Sequence, residues 1–167
     1  MELAHVNDHP LALQYPTRTP VWWARIGTSE KSINSVGVSG RRVVLRIEKR
    51  FNRFERILAK WFRAPKEIRR PLDNMNSMLW ELCDGSRNFA EICRIMDEVF
   101  NEDVSPVVSR AAMAMGQFQR NNLLLMLEEP LDGRWRIGPG QTPEQQQLDE
   151  KRMLDEYDID HMDGEAP

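Results

Sequence analysis

The chain has 167 residues, 41% of them hydrophobic, and a formal net charge of -3, enough for one domain of ordinary size with irregular segments attached. No apolar run approaches the ~20 residues of a membrane-spanning helix, and the first residues lack the basic-then-apolar order of a secretory signal. The near-neutral total conceals a division: residues 41–70 hold twelve Lys/Arg against three acidic residues, and residues 141–167 hold nine acidic residues against two basic ones.

Residues 1–40 read as an N-terminal arm with one strand. Pro10, Pro16 and Pro20 interrupt any period over the first twenty residues. Val21 to Ile26, bounded by Pro20 and Gly27, is the expected strand, its paired tryptophans covering a core. Residues 28–40, rich in Ser, Gly and Asn, read as a loop. Val43, Leu45 and Ile47 alternate with Val44, Arg46 and Glu48, the pattern of a half-buried strand.

Phe51 to Arg63 changes period. Its apolar residues (Phe51, Phe54, Ile57, Leu58, Trp61, Phe62) fall within about 140° of a helical wheel, and Arg53, Arg56, Lys60 and Arg63 lie opposite. This is a basic amphipathic helix ended by Pro65. Its apolar face is expected to cover Val43, Leu45 and Ile47, leaving the basic face for an anionic partner. The alternative is docking of the helix on an anionic membrane surface.

Glu67 to Leu72 reads as a short strand. Pro71 has no N–H for a ladder, so this strand belongs at a sheet edge. Met78 to Ile92 reads as the end of one helix, a turn at Gly85, and a second helix opened by an Asn88/Glu91 capping box. Cys83 and Cys93 occupy apolar helical positions without metal-ligand spacing and read as buried reduced thiols, which suits a cytoplasmic protein.

Pro71-Leu72-Asp73, the run Trp80-Glu81-Leu82-Cys83-Asp84-Gly85, Arg87 and Glu91-Ile92 together resemble the PqqD family. Members are peptide-recognition modules for ribosomally made, modified peptides. The resemblance covers residues 67–127, with Asn88 where the family usually has Thr. It implies a winged helix-turn-helix of α+β class: three core helices, a small antiparallel sheet and a C-terminal wing hairpin. Here the basic helix 51–63 is an insertion within a winged-helix domain at residues 41–138.

The third helix is expected from Ser105-Pro106, with Ser as N-cap and Pro at the first helical position. Val104, Val107, Val108, Ala111, Met115 and Phe118 form its buried face, and Asn121-Asn122 end it. Leu123–Leu127 and Arg134–Ile137, joined through Pro130 and Asp132-Gly133, read as the wing hairpin. Residues 139–167 read as an acidic flexible tail, with the basic helix as one surface it can fold back on.

Function reads as binding rather than catalysis. His5, His9 and His161 lie in the terminal segments without a nucleophile or metal-ligand pattern. No enzyme activity, cofactor or metal is expected. An edge strand offers unpaired backbone groups to an extended peptide. The resemblance places the groove between its third strand and third helix, giving Ile68, Arg69, Arg70, Leu72, Ser109, Arg110, Met113 and Gln117 as candidate peptide-binding residues. It also implies the partners: a precursor peptide or protein segment, and a radical-SAM or other peptide-modifying enzyme that holds the cofactor. Arg53, Arg56, Lys60 and Arg63 are the candidate contacts to an anionic partner. Nucleic acid is the weaker alternative, since the exposed side of the third helix offers only Arg110 and Arg120 to phosphates.

Overall fold

The computed structural model describes residues 2–29, 33–49, 53–62 and 67–167. It is a mixed α+β structure with two small antiparallel sheets. The strands are β1 (Tyr15–Arg18), β2 (Trp22–Ile26), β3 (Arg42–Glu48), β4 (Glu67–Pro71) and β5 (Leu124–Leu127); the helices are α1 (Arg53–Phe62), α2 (Asn74–Leu82), α3 (Phe89–Phe100) and α4 (Val107–Arg120).

The main core is built on the Trp80 run. Asp73 caps α2 by accepting a 2.7 Å bond from the Asn76 amide. Trp80 is fully buried, edge-on to both Trp23 and Phe118. Gly85 turns the chain at φ 77° beyond the Cys83 cap. The next helix opens with both halves of the expected capping box: Asn88 Oδ1 accepts from the Glu91 amide at 2.9 Å, and Glu91 accepts from the Asn88 amide at 2.8 Å. Along α3, Phe89, Ile92, Cys93 and Met96 face inward, as their spacing requires. Helix α4 starts one residue later than expected. Pro106 is the N-cap position and no side chain caps it, so Ser105 does not play the capping role. Its buried face is Val107, Val108, Ala111, Met115 and Phe118.

The N-terminal residues are not an arm outside the fold. Val6, Ala12, Trp23 and Val38 join the same core as the helices, and a 3-10 turn at Glu2–Asp8 packs on α3 and α4. Strand β1 pairs with β5, Thr17 opposite Leu125. This pairing replaces the expected hairpin of Leu123–Leu127 with Arg134–Ile137. The sequence between them is held elsewhere: Leu131 donates to the Gly85 carbonyl, and Ile137 to the Pro167 carbonyl.

The second sheet has the order β2-β3-β4. Register places Trp23 and Arg25, Val43 and Leu45, and Ile68, Arg70 and Leu72 on the side of the helices. Trp22 and Ala24, Val44 and Arg46, and Arg69 lie on the other side. Strand β3 is buried on both faces rather than half-buried, because the C-terminal segment covers the second one. Tyr157 meets Trp22 edge-on at 5.3 Å between ring centroids and shares a small core with Ala24 and Val44. The segment also lines the outer edge of β2: Arg25 and Asp158 exchange two backbone bonds of 2.9 Å, and the Gly140 amide donates to the Trp23 carbonyl at 2.8 Å. Residues 139–167, expected as a flexible tail, are thus seated on the sheet.

Helix α1 departs from expectation in its packing. Val43 and Leu45 are covered by α2 and the main core, while Phe54, Ile57, Leu58, Trp61 and Phe62 are all exposed. Phe51 and Arg63, at the two ends of the expected helix, lie outside the described residues.

Candidate functional site

The site is built from the free edge of β4. The Leu72 amide donates to the Val43 carbonyl at 2.8 Å. Antiparallel pairs alternate between bonded and non-bonded, so Arg70 and Ile68 also bond inward to Leu45 and Ile47, their register partners. Glu67, Arg69 and Pro71 then direct their backbone outward. Pro71 has no N–H to leave unpaired there, which is why an edge tolerates it. Among the described residues no strand pairs with this edge, whereas the opposite edge, on β2, is occupied by Gly140 and Asp158.

Beside the edge lies an open groove of about 1010 Å3. Its lining combines Ile47 and Ile68 of the sheet with Glu48 and Lys49, residues 19–21 and 121–123, Glu55, Leu58 and Phe62 of α1, and Gln146. Ile68 is half-exposed at this junction. Its neighbour Arg70 is exposed on the same face of the strand.

The remaining candidate residues are dispersed. Leu72 is buried in the core. Arg69 points to the opposite face, where Nε donates to the Tyr157 hydroxyl at 2.9 Å and a terminal nitrogen bonds Glu156 at 2.8 Å. Ser109, Arg110, Met113 and Gln117 share the exposed face of α4, outside the groove lining. Arg110 donates to the Asp103 carbonyl at 3.1 Å, and Gln117 accepts from Arg120 at 2.8 Å. Arg53, Arg56 and Lys60 are exposed on α1; Arg63 lies outside the described residues. The structure therefore joins Ile68 to a groove whose other walls come from β3, α1 and the α4–β5 turn.

Sequence reasoning missed the buried charges that hold this scaffold. Arg25 is buried between two carboxylates, Glu81 at 3.2 Å and Glu165 at 2.6 Å, and its guanidinium lies 4.8 Å over the Trp23 ring. Glu81 also accepts from the Ser39 amide at 2.7 Å and the Ser39 hydroxyl at 2.9 Å. Burial alone would pull the Arg25 pKa down, but the two carboxylates outweigh it and hold the group above its ordinary value. Arg18 is buried too, donating to the Trp80 and Glu81 carbonyls at 2.7 and 2.9 Å. Burial lowers its pKa. Arg46 is clamped by Glu67 at 3.0 Å and by the Asp149 carbonyl at 2.7 Å. An isolated arginine in a strand reads as a solvated face, and its acidic partners here, Glu67, Glu81 and Glu165, are remote in sequence.

The chemistry of the other reactive residues is unremarkable. Cys83 and Cys93 are buried and not joined in a disulfide, and burial pushes the Cys83 thiol far up, away from a reactive thiolate. Among the described residues no cluster of His, Cys, Asp and Glu could hold a metal ion, and no helix is long and apolar enough to cross a membrane. His9 stacks on Phe89 at 4.9 Å. Compared with protein families, curated proteins and solved structures, the chain gives no match to any of them.

Proposed function

We propose that this chain is a non-enzymatic, PqqD-like winged-helix module that captures an extended peptide by strand addition and presents it to a modifying enzyme. The observation that carries the reading is the outer edge of β4, unpaired among the described residues, beside a groove lined equally by apolar and polar residues. An incoming strand would bond the outward backbone groups of Glu67 and Arg69, and its alternate side chains would enter the groove over Ile47 and Ile68. Arg70, exposed on that face, suits an acidic side chain in the ligand. Two edges of the β2-β3-β4 sheet with opposite fates support the same reading: the C-terminal segment covers β2, and among the described residues nothing pairs with β4. Docking of α4 on DNA has less support, because Arg110 and Arg120 are already bonded within the chain.

A pair of variants tests this. Arg69→Ala and Arg69→Pro both remove the side-chain contacts to Tyr157 and Glu156, and only Arg69→Pro also removes the outward N–H. With a peptide recovered by pull-down on the full chain, Arg69→Pro binds about tenfold more weakly than Arg69→Ala, the effect of one backbone hydrogen bond. Heteronuclear titration shows shifts at Glu67–Leu72 and at Asn121–Leu123. Equal affinities, or shifts confined to other elements, refute strand addition at β4.

A further inference from the structure

Helix α1 carries three large side chains that touch neither the core nor the groove. Trp61 is 82% exposed, Phe54 71% and Ile57 58%. At 100° per residue they occupy an arc of about 60°. Leu58, Phe62 and Glu55, which line the groove, fill the arc on one side of them. Arg56, Lys60 and Arg53 fill the arc on the other side. The helix therefore turns one flank to the groove, presents an aromatic and aliphatic ridge on a second side, and carries a basic stripe beyond it.

The charge on that stripe is unspent. Three of the nine C-terminal acidic residues pair elsewhere on the molecule: Glu165 with Arg25, Asp158 with Arg41, and Glu156 with Arg69. Among the described residues no ion pair engages Arg53, Arg56 or Lys60. The single acidic residue of the helix, Glu55, lies on the groove side, away from the ridge.

We infer that α1 is a membrane-surface anchor, its Phe54–Ile57–Trp61 ridge entering the interface of an anionic bilayer and its basic stripe meeting lipid phosphates. A ridge of Trp, Phe and Ile beside Arg and Lys is the composition of helices that lie in the bilayer interface. The long basic stems can extend their charges to the headgroups while the ridge is immersed. This anchor is independent of peptide capture at β4, because the ridge and the β4 edge share no residue.

The test is co-sedimentation of the full chain with phosphatidylcholine vesicles, with and without phosphatidylserine, at low and at physiological salt. Binding is expected only with phosphatidylserine and weakens with salt. It is accompanied by a blue shift in tryptophan emission that Trp61→Phe removes, since Trp22, Trp23 and Trp80 are already buried and the half-buried Trp135 is held by an indole N–H bond of 2.9 Å to the Arg18 carbonyl. The double variant F54E/W61E abolishes binding, and R53Q/R56Q/K60Q weakens it by about fivefold per charge removed. Unchanged near-ultraviolet circular dichroism verifies that each variant is folded. No sedimentation with anionic vesicles at low salt overturns the anchor, as does sedimentation that survives F54E/W61E. Self-association that F54E/W61E abolishes, without vesicle binding, overturns it in favour of a second copy of the chain.

Discussion

At Gly85 two demands meet in one residue. Its φ of 77° is the left-handed region that a side chain disfavours, and a Cβ there would lie 2.5 Å from Leu131 Cβ and 2.7 Å from Thr17 Oγ1. Gly85→Ala is therefore expected to destabilise the fold by about 2–4 kcal/mol, combining backbone strain with overpacking, as read by denaturant midpoint at constant slope. Arg25 is the other sensitive residue. Arg25→Met would leave Glu81 and Glu165 buried without their cation, at a cost of about 3–5 kcal/mol. Unfolding curves for this variant check the figure. Glu81 enters the sequence reading only as part of the Trp80–Gly85 run, with no partner assigned to it. It is in fact the acceptor that ties α2 to Ser39 and Arg25.

At the scale of elements, legibility followed the range of the interactions. The α2–Gly85–α3 unit was readable because caps and turns are set by residues three or four apart, and the edge position of β4 because Pro71 states it locally. The wing was misread because strand pairing is settled by distant partners. Leu123–Leu127 has the alternation of a strand, and nothing within it says that Tyr15–Arg18 rather than Arg134–Ile137 lies beside it. The packing of α1 was misread for the same reason: an apolar arc predicts burial, but α2 already covers that face of β3. The β1 pairing makes a prediction. Removing residues 1–18 takes away β1, the buried Val6 and Ala12, and the Arg18 bonds to Trp80 and Glu81. Thermal melting of that truncation is expected to fall by more than about 10 °C, where a dispensable arm would leave it unchanged.

At the scale of the whole molecule, opposite charges in distant parts of the chain meet across the β2-β3-β4 sheet. The basic excess of residues 41–70 and the acidic excess of residues 141–167 are visible in sequence, where the acidic segment reads as a flexible tail able to fold back on the basic helix. Which arginines receive the acidic segment is not visible there, because α1 advertises its charge more plainly than Arg25, Arg41, Arg46 and Arg69 do. The edge position of β4 was legible, but of the eight candidate peptide-binding residues the groove lining contains Ile68 and not the α4 face.

The seating of the acidic segment has a pH dependence whose sign can be worked out. Asp158 is held below the ordinary carboxylate range, first by the backbone amide of Asp160 and then by Arg41. A carboxyl whose pKa is lowered by folding contributes stability that is present in full above its unfolded value, about 3.9. That contribution is lost as pH falls through the lower folded value. The segment should therefore stay seated from neutral pH to about pH 4 and loosen only below it. Hydrogen exchange of the Arg25 and Asp158 amides, which bond each other's carbonyls, follows this directly. Asp158→Asn, which removes the charge at every pH, should speed exchange at neutral pH and flatten the acid dependence. Truncation after Gly138 goes further, baring Trp22 and opening the β2 edge that Gly140 and Asp158 cover. Its tryptophan emission should shift to the red, and the truncated chain would expose the β2 edge in addition to the β4 edge, which predicts self-association by edge pairing.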